Sequence, residues 1–218
     1  VPAAIAYAGF LTRAENKQMV ERLHLPLQNV SNMDLRRYRA VILVDTQPTS
    51  GNNVLSGKQT PVGVIDHHGL HRATLSCPFA LIDTKVGATS TLVFEMLKHA
   101  GVRISAVLAT ALYLGIKTDT QDLGREAGAR DLAAYKELFP AVKHKLVAQI
   151  THPRLSGDYY RVVHRALEAA VVCGDCIYAP VGEVPTPEFI SELADYLAAL
   201  KGIRWTVVTG RFQENLYF

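Results

Sequence analysis

Three segments of this sequence end apolar runs in side chains that could hold a cation. Val62-Gly63-Val64-Ile65 is followed by Asp66-His67-His68, and upstream Ala40-Val41-Ile42-Leu43-Val44 is followed by Asp45. A third acid, Asp119, comes after the apolar stretch from Ala106 to Leu114, through Gly115-Ile116-Lys117-Thr118. In an open α/β sheet, ligands gather in the crevice beyond the carboxyl ends of the strands. Two strands delivering carboxylate and imidazole to that edge describe a cation site. Such donors suit manganese or magnesium better than soft metals. The chemistry to expect is metal-dependent.

Each residue has a blander explanation. An acid just past a strand is often a turn or cap residue, and one histidine is often a satisfied core ring. Asp45 alone would take the turn reading; its coincidence with Asp66-His67-His68 and Asp119 reverses the odds. Adjacent histidines at a strand end diverge and cannot both enter a core. Asp66 is read as a group that accepts an imidazole N–H and fixes the ring, rather than as a ligand. Asn52 and Asn53 lie in a polar loop where turn chemistry explains them, with Asn53 kept as a substrate-binding candidate. Lys117 and Arg125 flank Asp119 and could neutralise phosphate, although a solvated charge is the commoner outcome, and nearby Asp122 is either a group supporting Asp119 or a surface acid. His71 could approach the site, and His99, His144, His152 and His164 have no acidic or histidine neighbours at ligand spacing.

The elements that must position these groups follow from periodicity and punctuation. Ala40–Asp45 and Val62–Asp66 are apolar throughout, as strands covered on both faces should be. The link from Thr46 to Pro61, rich in Gly, Asn, Ser and Pro, is a loop. Helices are predicted over Ala14–Leu23, Thr89–Ala100, Ser105–Lys117, Arg130–Phe139 and Val142–Ile150, with Gly101 and Pro140 as stops. Tyr159–Ala170 reads as a connecting helix, followed by strand Val171–Ala179, helix Pro187–Leu200 and strand Ile203–Thr209. The fold class is α/β, a mainly parallel sheet flanked by helices. A connecting helix over 156–170 separates residues 1–155 from a smaller α/β domain at 171–218.

The ordered set Val44-Asp45-Thr46, Asp66-His67-His68 and Gly115-Ile116-x-x-Asp119-Thr120 resembles the DHH phosphoesterase superfamily. Asp45-Thr46-Gln47-Pro48, Gly51-Asn52-Asn53 and Gly87-Ala88-Thr89-Ser90 look most like its oligoribonuclease, pAp-phosphatase and "exopolyphosphatase-related" branch. The resemblance spans Tyr38 to Gly210. It implies metal ligands at Asp45, His67 and Asp119, with Asp45 bridging two Mn2+ (or Mg2+) ions and His68 placed against a phosphate. It implies hydrolysis of short oligonucleotides or small nucleotides by water attack between those ions. His68 and Asp66 are the catalytic candidates, and a homodimer is the assembly to test. The family's opening His-x-x-x-Asp-x-Asp motif and closing glycine-rich motif are not found here. A start at Val1 without methionine reads as a fragment, and Glu214–Phe218 as either a protease-tag remnant or an edge strand. A nucleotide-binding module without catalysis, and a pyrophosphatase or exopolyphosphatase, are the competing readings; the β-α-β pattern of the second domain argues mildly against the pyrophosphatase branch.

Composition bounds the rest. With 218 residues, 49% of them hydrophobic, the chain can bury one large core, or one plus a satellite. It holds no apolar run of about 18 residues, so a membrane span is not expected. A net charge of +3 permits phosphate-rich substrates without demanding a nucleic-acid-coating surface. Cys77, Cys173 and Cys176 are too few for a disulfide framework, and Cys173-Gly174-Asp175-Cys176 lacks the second pair a zinc site needs. Two ordinary cysteines of one strand, in a reducing cytoplasm, are the expectation.

Overall fold

The computed structural model describes residues 3–11, 13–55 and 60–218. The chain divides into two compact units, Val1–Gly9 with Met19–Thr151, and Phe10–Gln18 with His152–Phe218.

In the first unit the apolar runs become short parallel strands. β1 (Ile5–Tyr7) pairs with β2 (Leu27–Asn29), and α1 (Ala14–Leu23) lies between them in sequence. β3 (Ile42–Val44), β4 (Gly63–Asp66) and β5 (Phe79–Ile82) form a second parallel sheet with β4 in the middle. Registers Leu43↔Val64 and Val64↔Ala80 set the three side by side. Val64 is completely buried, as a central parallel strand requires. Helices α2 (Thr89–His99), α3 (Ala106–Asp119), α4 (Ala129–Leu138) and α5 (His144–Thr151) build the core around Phe94, Leu112, Tyr113, Ile116 and Leu138. α3 is apolar nearly all round, the mark of a helix enclosed by neighbours. Its Gly115 is a close-approach position, because an added Cβ would sit 2.0 Å from Ser90 Oγ of α2.

In the second unit α6 (Gly157–Ala169) starts at Ser156, whose hydroxyl accepts from the Tyr159 N–H at 3.2 Å. The four-stranded sheet runs β6 (Val171–Cys173), β7 (Cys176–Glu183), β8 (Trp205–Phe212), β9 (Asn215–Tyr217), with α7 (Glu188–Ala198) joining the parallel pair β7 and β8. Its core gathers Val162, Ala166, Ile177, Val181, Leu193 and Val208. The single strand expected over Val171–Ala179 is instead a hairpin. Gly174, at φ 61°, and Asp175 make the turn, and Cys173 faces Cys176 across the ladder. The two cysteines are therefore a cross-strand pair rather than positions three apart on one strand. Residues 215–217 form the edge strand β9, antiparallel to β8. No helix among the described residues is long and apolar enough to cross a membrane.

Candidate metal centre

β3 and β4 end beside each other, and that fixes the site. Asp45 is the first residue after β3; its N–H donates to the Ile65 carbonyl at 2.9 Å, keeping it in register with β4. It then turns into the left-handed region at φ 61°, which aspartate tolerates better than most residues. Its Oδ1 accepts from Thr89 Oγ1 at 2.8 Å, at the start of α2, and lies 3.5 Å from His67 Nε2. The Asp45 side chain remains half exposed, whereas that of His67 is nearly buried. Ligand-capable atoms of Asp45, Asp66, His67 and His68 all lie within 4.8 Å of one another.

Asp66 and His68 form a tight pair. His68 Nδ1 is 2.8 Å from Asp66 Oδ1. A carboxylate only accepts, so Nδ1 carries the proton and Nε2 is left for whatever enters the site. Burial works to raise the Asp66 carboxyl, but hydrogen bonds from His68 and Gln47 outweigh it and hold it below the usual carboxylate range. The same bond to Asp66 lifts His68 above the ordinary imidazole value, against desolvation. Asp66 thus orients a histidine, and the ring it orients is His68.

Asp119 ends α3. Beyond it the chain reverses through left-handed Gln121, Asp122 and Leu123, with the Asp122 N–H bonded to the Lys117 carbonyl at 2.9 Å. Burial, and then the charge of Asp45, push the Asp119 carboxyl up to about 6, while His67, His68 and Arg125 pull the other way. Asp119 therefore shares an electrostatic environment with Asp45 and both histidines. Lys117 pairs with Asp122, and Arg125 donates to the Asp119 backbone carbonyl at 3.2 Å. Asn53 is committed to its own loop: its Nδ2 donates to Thr46 Oγ1 at 3.1 Å, the Gln47 carbonyl at 2.8 Å and Ser50 Oγ at 3.2 Å.

The donor set fits a hard or borderline dication. Two carboxylates, Asp45 and Asp66, and two imidazoles, His67 and His68, converge; Asp45 stays half open to solvent, and Asp66 is bonded to His68. The group of side chains close enough to share an ion is Asp45, Asp66, His67 and His68. Asp119, expected as the third ligand, is not in that group and is tied to Asp45 and the histidines through its charge environment.

With this geometry in place, relatives decide the family. Residues 1–116 match the model of the DHH family, N-terminal domain. The chain belongs to the DHH family. It is 30% identical over 224 residues to an uncharacterised protein of Methanocaldococcus jannaschii, covering 100% of this chain and 45% of that protein. It is 27% identical over 188 residues to a probable manganese-dependent inorganic pyrophosphatase of Deinococcus radiodurans, covering 73% of this chain and 60% of that one. The chain thus spans about half the length of these curated relatives. The crystal structure of an exopolyphosphatase-related protein from Bacteroides fragilis superposes with a TM-score of 0.67 at 13% identity, over 98% of this chain and 76% of that one, and so shares the fold.

Three residues that support this DHH-family site escape a reading by residue type. Gln47 is 1% exposed, and its amide joins the site to the following loop. Its Nε2 donates to Asp66 Oδ2 at 2.8 Å and the Gly69 carbonyl at 3.0 Å, while Oε1 accepts from the His71 N–H and Thr74 Oγ1, both at 2.8 Å. Thr89 holds Asp45. Buried Asp131 accepts from the Gly87 and Gly128 N–H groups, both at 2.8 Å, and from Thr91 Oγ1 at 2.6 Å, tying α4 to the start of α2. The signal for Gln47 was its place two residues after Asp45; nothing local marks Asp131.

Proposed function

We propose that this chain carries the metal-holding part of a manganese-dependent phosphoesterase acting on phosphodiester or phosphomonoester bonds of short oligonucleotides or small nucleotides. The observation that carries the reading is the convergence of Asp45, Asp66, His67 and His68 within 4.8 Å in a chain of the DHH family. Bound dications would supply an activated water and neutralise phosphoryl oxygens. Asp45, His67 and Asp119 would hold them. Asp66 keeps the His68 proton on Nδ1 and its charge in place, and the protonated ring donates from Nε2 to a phosphoryl oxygen as negative charge grows there. Three side chains cannot fill two six-coordinate sites, so further ligands come from water or from more polypeptide. The three free cysteines fit a reducing cytoplasm.

A second reading, hydrolysis of pyrophosphate, is favoured by the resemblance to the Deinococcus protein. One experiment separates them: the protein with manganese, assayed in parallel on pAp, a cyclic dinucleotide, a short RNA and pyrophosphate. Turnover of any nucleotide supports the phosphoesterase reading, and turnover of pyrophosphate alone supports the second. Manganese binding with no turnover points to a binding module.

A further inference from the structure

The β6–β7 hairpin of the second unit sets two thiols against each other at its tip. Cys173 and Cys176 are register partners, joined by Gly174 and Asp175 alone. Of those two turn residues only Gly174 takes a positive φ, 61°, the pattern of the type II′ turn that matches strand twist. Opposed residues of an antiparallel pair have Cα atoms about 4.5–5.5 Å apart and side chains on one face. A disulfide needs about 4.4–6.8 Å between Cα atoms. The backbone therefore needs no rearrangement to join these two sulfurs.

The face they share is the open one. Ile177 and Ala179 of β7 turn into the core, so Cys176 and Tyr178 point the other way. Cys173 is exposed and Cys176 partly buried. Asp175 anchors one side of the turn: its carbonyl accepts from the Arg204 N–H at 2.7 Å and the Trp205 N–H at 3.1 Å, and its carboxylate pairs with Arg204 Nε at 3.0 Å. That anchorage keeps Cys176 beside its β8 partner Trp205, the single tryptophan of the chain. The other side has room, because an added Cβ at Gly174 would meet nothing within 4 Å beyond its chain neighbours. Cys173 is thus the accessible member of the pair. Cys77, in the first unit, differs: burial pushes its thiol up, which keeps it in the less reactive protonated form.

We propose that Cys173 and Cys176 form a reversible dithiol–disulfide site that exchanges with small-molecule disulfides of the glutathione type. The Cys173 thiolate attacks one sulfur of the incoming disulfide, whose S–S bond breaks and releases one thiolate. The Cys176 thiolate then attacks the Cys173 sulfur of the mixed disulfide, closing the Cys173–Cys176 bond and expelling the second thiolate. The protons lost by the two cysteines end on the released thiols, so two protein thiols are oxidised as one small disulfide is reduced to two thiols. A structural staple is a poor account of the pair. The loop it would close is the shortest a hairpin allows, and the stabilisation a cross-link gives grows with loop length. An exposed disulfide is instead the exchangeable kind. A tetrahedral zinc ion wants more donors than two thiols supply, and no third His, Cys, Asp or Glu among the described residues joins the pair.

The test incubates the reduced 218-residue protein with oxidised glutathione and counts thiols by alkylation under denaturing conditions, with mass spectrometry to place the bond. Free thiols should fall from three to one, with Cys173 and Cys176 joined inside one chain and Cys77 still free. Trp205 emission should drop, because a neighbouring disulfide quenches indole fluorescence, and dithiothreitol should restore both signals. Cys176→Ser should stop at a glutathione adduct on Cys173. Cys173→Ser, left with the partly buried thiol, should react far more slowly. Serine is close to cysteine in size, so both variants should melt near the parent protein. Three thiols retained, disulfide-linked dimers as the main product, or equal rates of adduct formation in the two variants would overturn the inference. Thiol content, not turnover, is read, so failure here leaves the phosphoesterase reading standing.

Discussion

At the scale of single residues, the site works by assigning different partners to chemically identical groups. His67 turns Nε2 toward Asp45, and His68 turns Nδ1 toward Asp66, although the two rings are 4.2 Å apart. His67→Ala should therefore lower manganese affinity, by about tenfold or more as a lost ligand. His68→Ala should leave that affinity nearly intact and lower kcat by about 10²–10³-fold, as a lost donor to growing charge would. Titration calorimetry with manganese, alongside turnover, reads both; equal loss of metal in the two variants would refute the division of roles. Gln47 offers a purely structural check. Gln47→Leu keeps the bulk but strands Asp66, Gly69, His71 and Thr74, all bonded to one buried amide. It should cost about 3 kcal/mol, since orphaned buried polar groups bear their full desolvation penalty. A thermal melt within about 0.5 kcal/mol of the parent protein would show that the network contributes little.

At the scale of elements, the site depends on how strand ends are locked to helix starts. Thr89 ties the start of α2 to the end of β3, and Asp131 ties α4 to that same helix start. On the far side, Arg130 of α4 bonds Glu95 of α2 through Nη2 and Nε, and pairs with Asp83 after β5. That pairing holds the Asp83 carboxyl below its usual value, helped by the Lys85 N–H. A depressed folded value means that the unfolded chain binds the proton first. The contribution of Asp83 is thus present above about pH 4 and lost as pH falls toward its folded value. Arg130→Met should cost about 1 kcal/mol at neutral pH, modest because solvent screens the partners. The gap to the parent protein should narrow by about pH 2–3; an unchanged gap would mean that packing, not charge, explains the loss. Helices were the legible elements: the sequence predicts Ala14–Leu23 to the residue, and α2 to within one. β1, β2 and β5 have three or four residues each, too few for a period to register, and went unread. The Cys173–Cys176 hairpin was hidden because apolar residues flank a two-residue turn and imitate one continuous strand. Asp45, Asp66 and the two histidines were legible because strand ends converge in this architecture. Gln47 and Asp131 were not, because a buried amide or acid acts through partners distant in sequence.

At the scale of the whole molecule, each compact unit has its own core: one around Leu112, Ile116 and Leu138, the other around Ile177, Leu193 and Val208. Every residue placed at the metal centre lies in the first unit. Stability and metal binding should therefore come apart when the cores are damaged one at a time. Leu193 is completely buried on α7, and Leu193→Ala should cost about 2–5 kcal/mol through lost burial and the cavity left behind. That loss belongs to the second unit alone, so unfolding should resolve into an early transition for that unit, residues 10–18 and 152–218, and a later one close to the parent value. Manganese titrated below the early transition should bind with unaltered affinity. Leu138→Ala, equally large and buried at 2% in the first core, should do the opposite, softening the unit that positions Asp45, His67 and Asp119. Calorimetric scans with and without manganese distinguish the two variants, since ligand binding raises only the transition of the unit that binds it. If Leu193→Ala weakens manganese binding as much as Leu138→Ala does, the units unfold as one cooperative body and the independence of their cores is refuted.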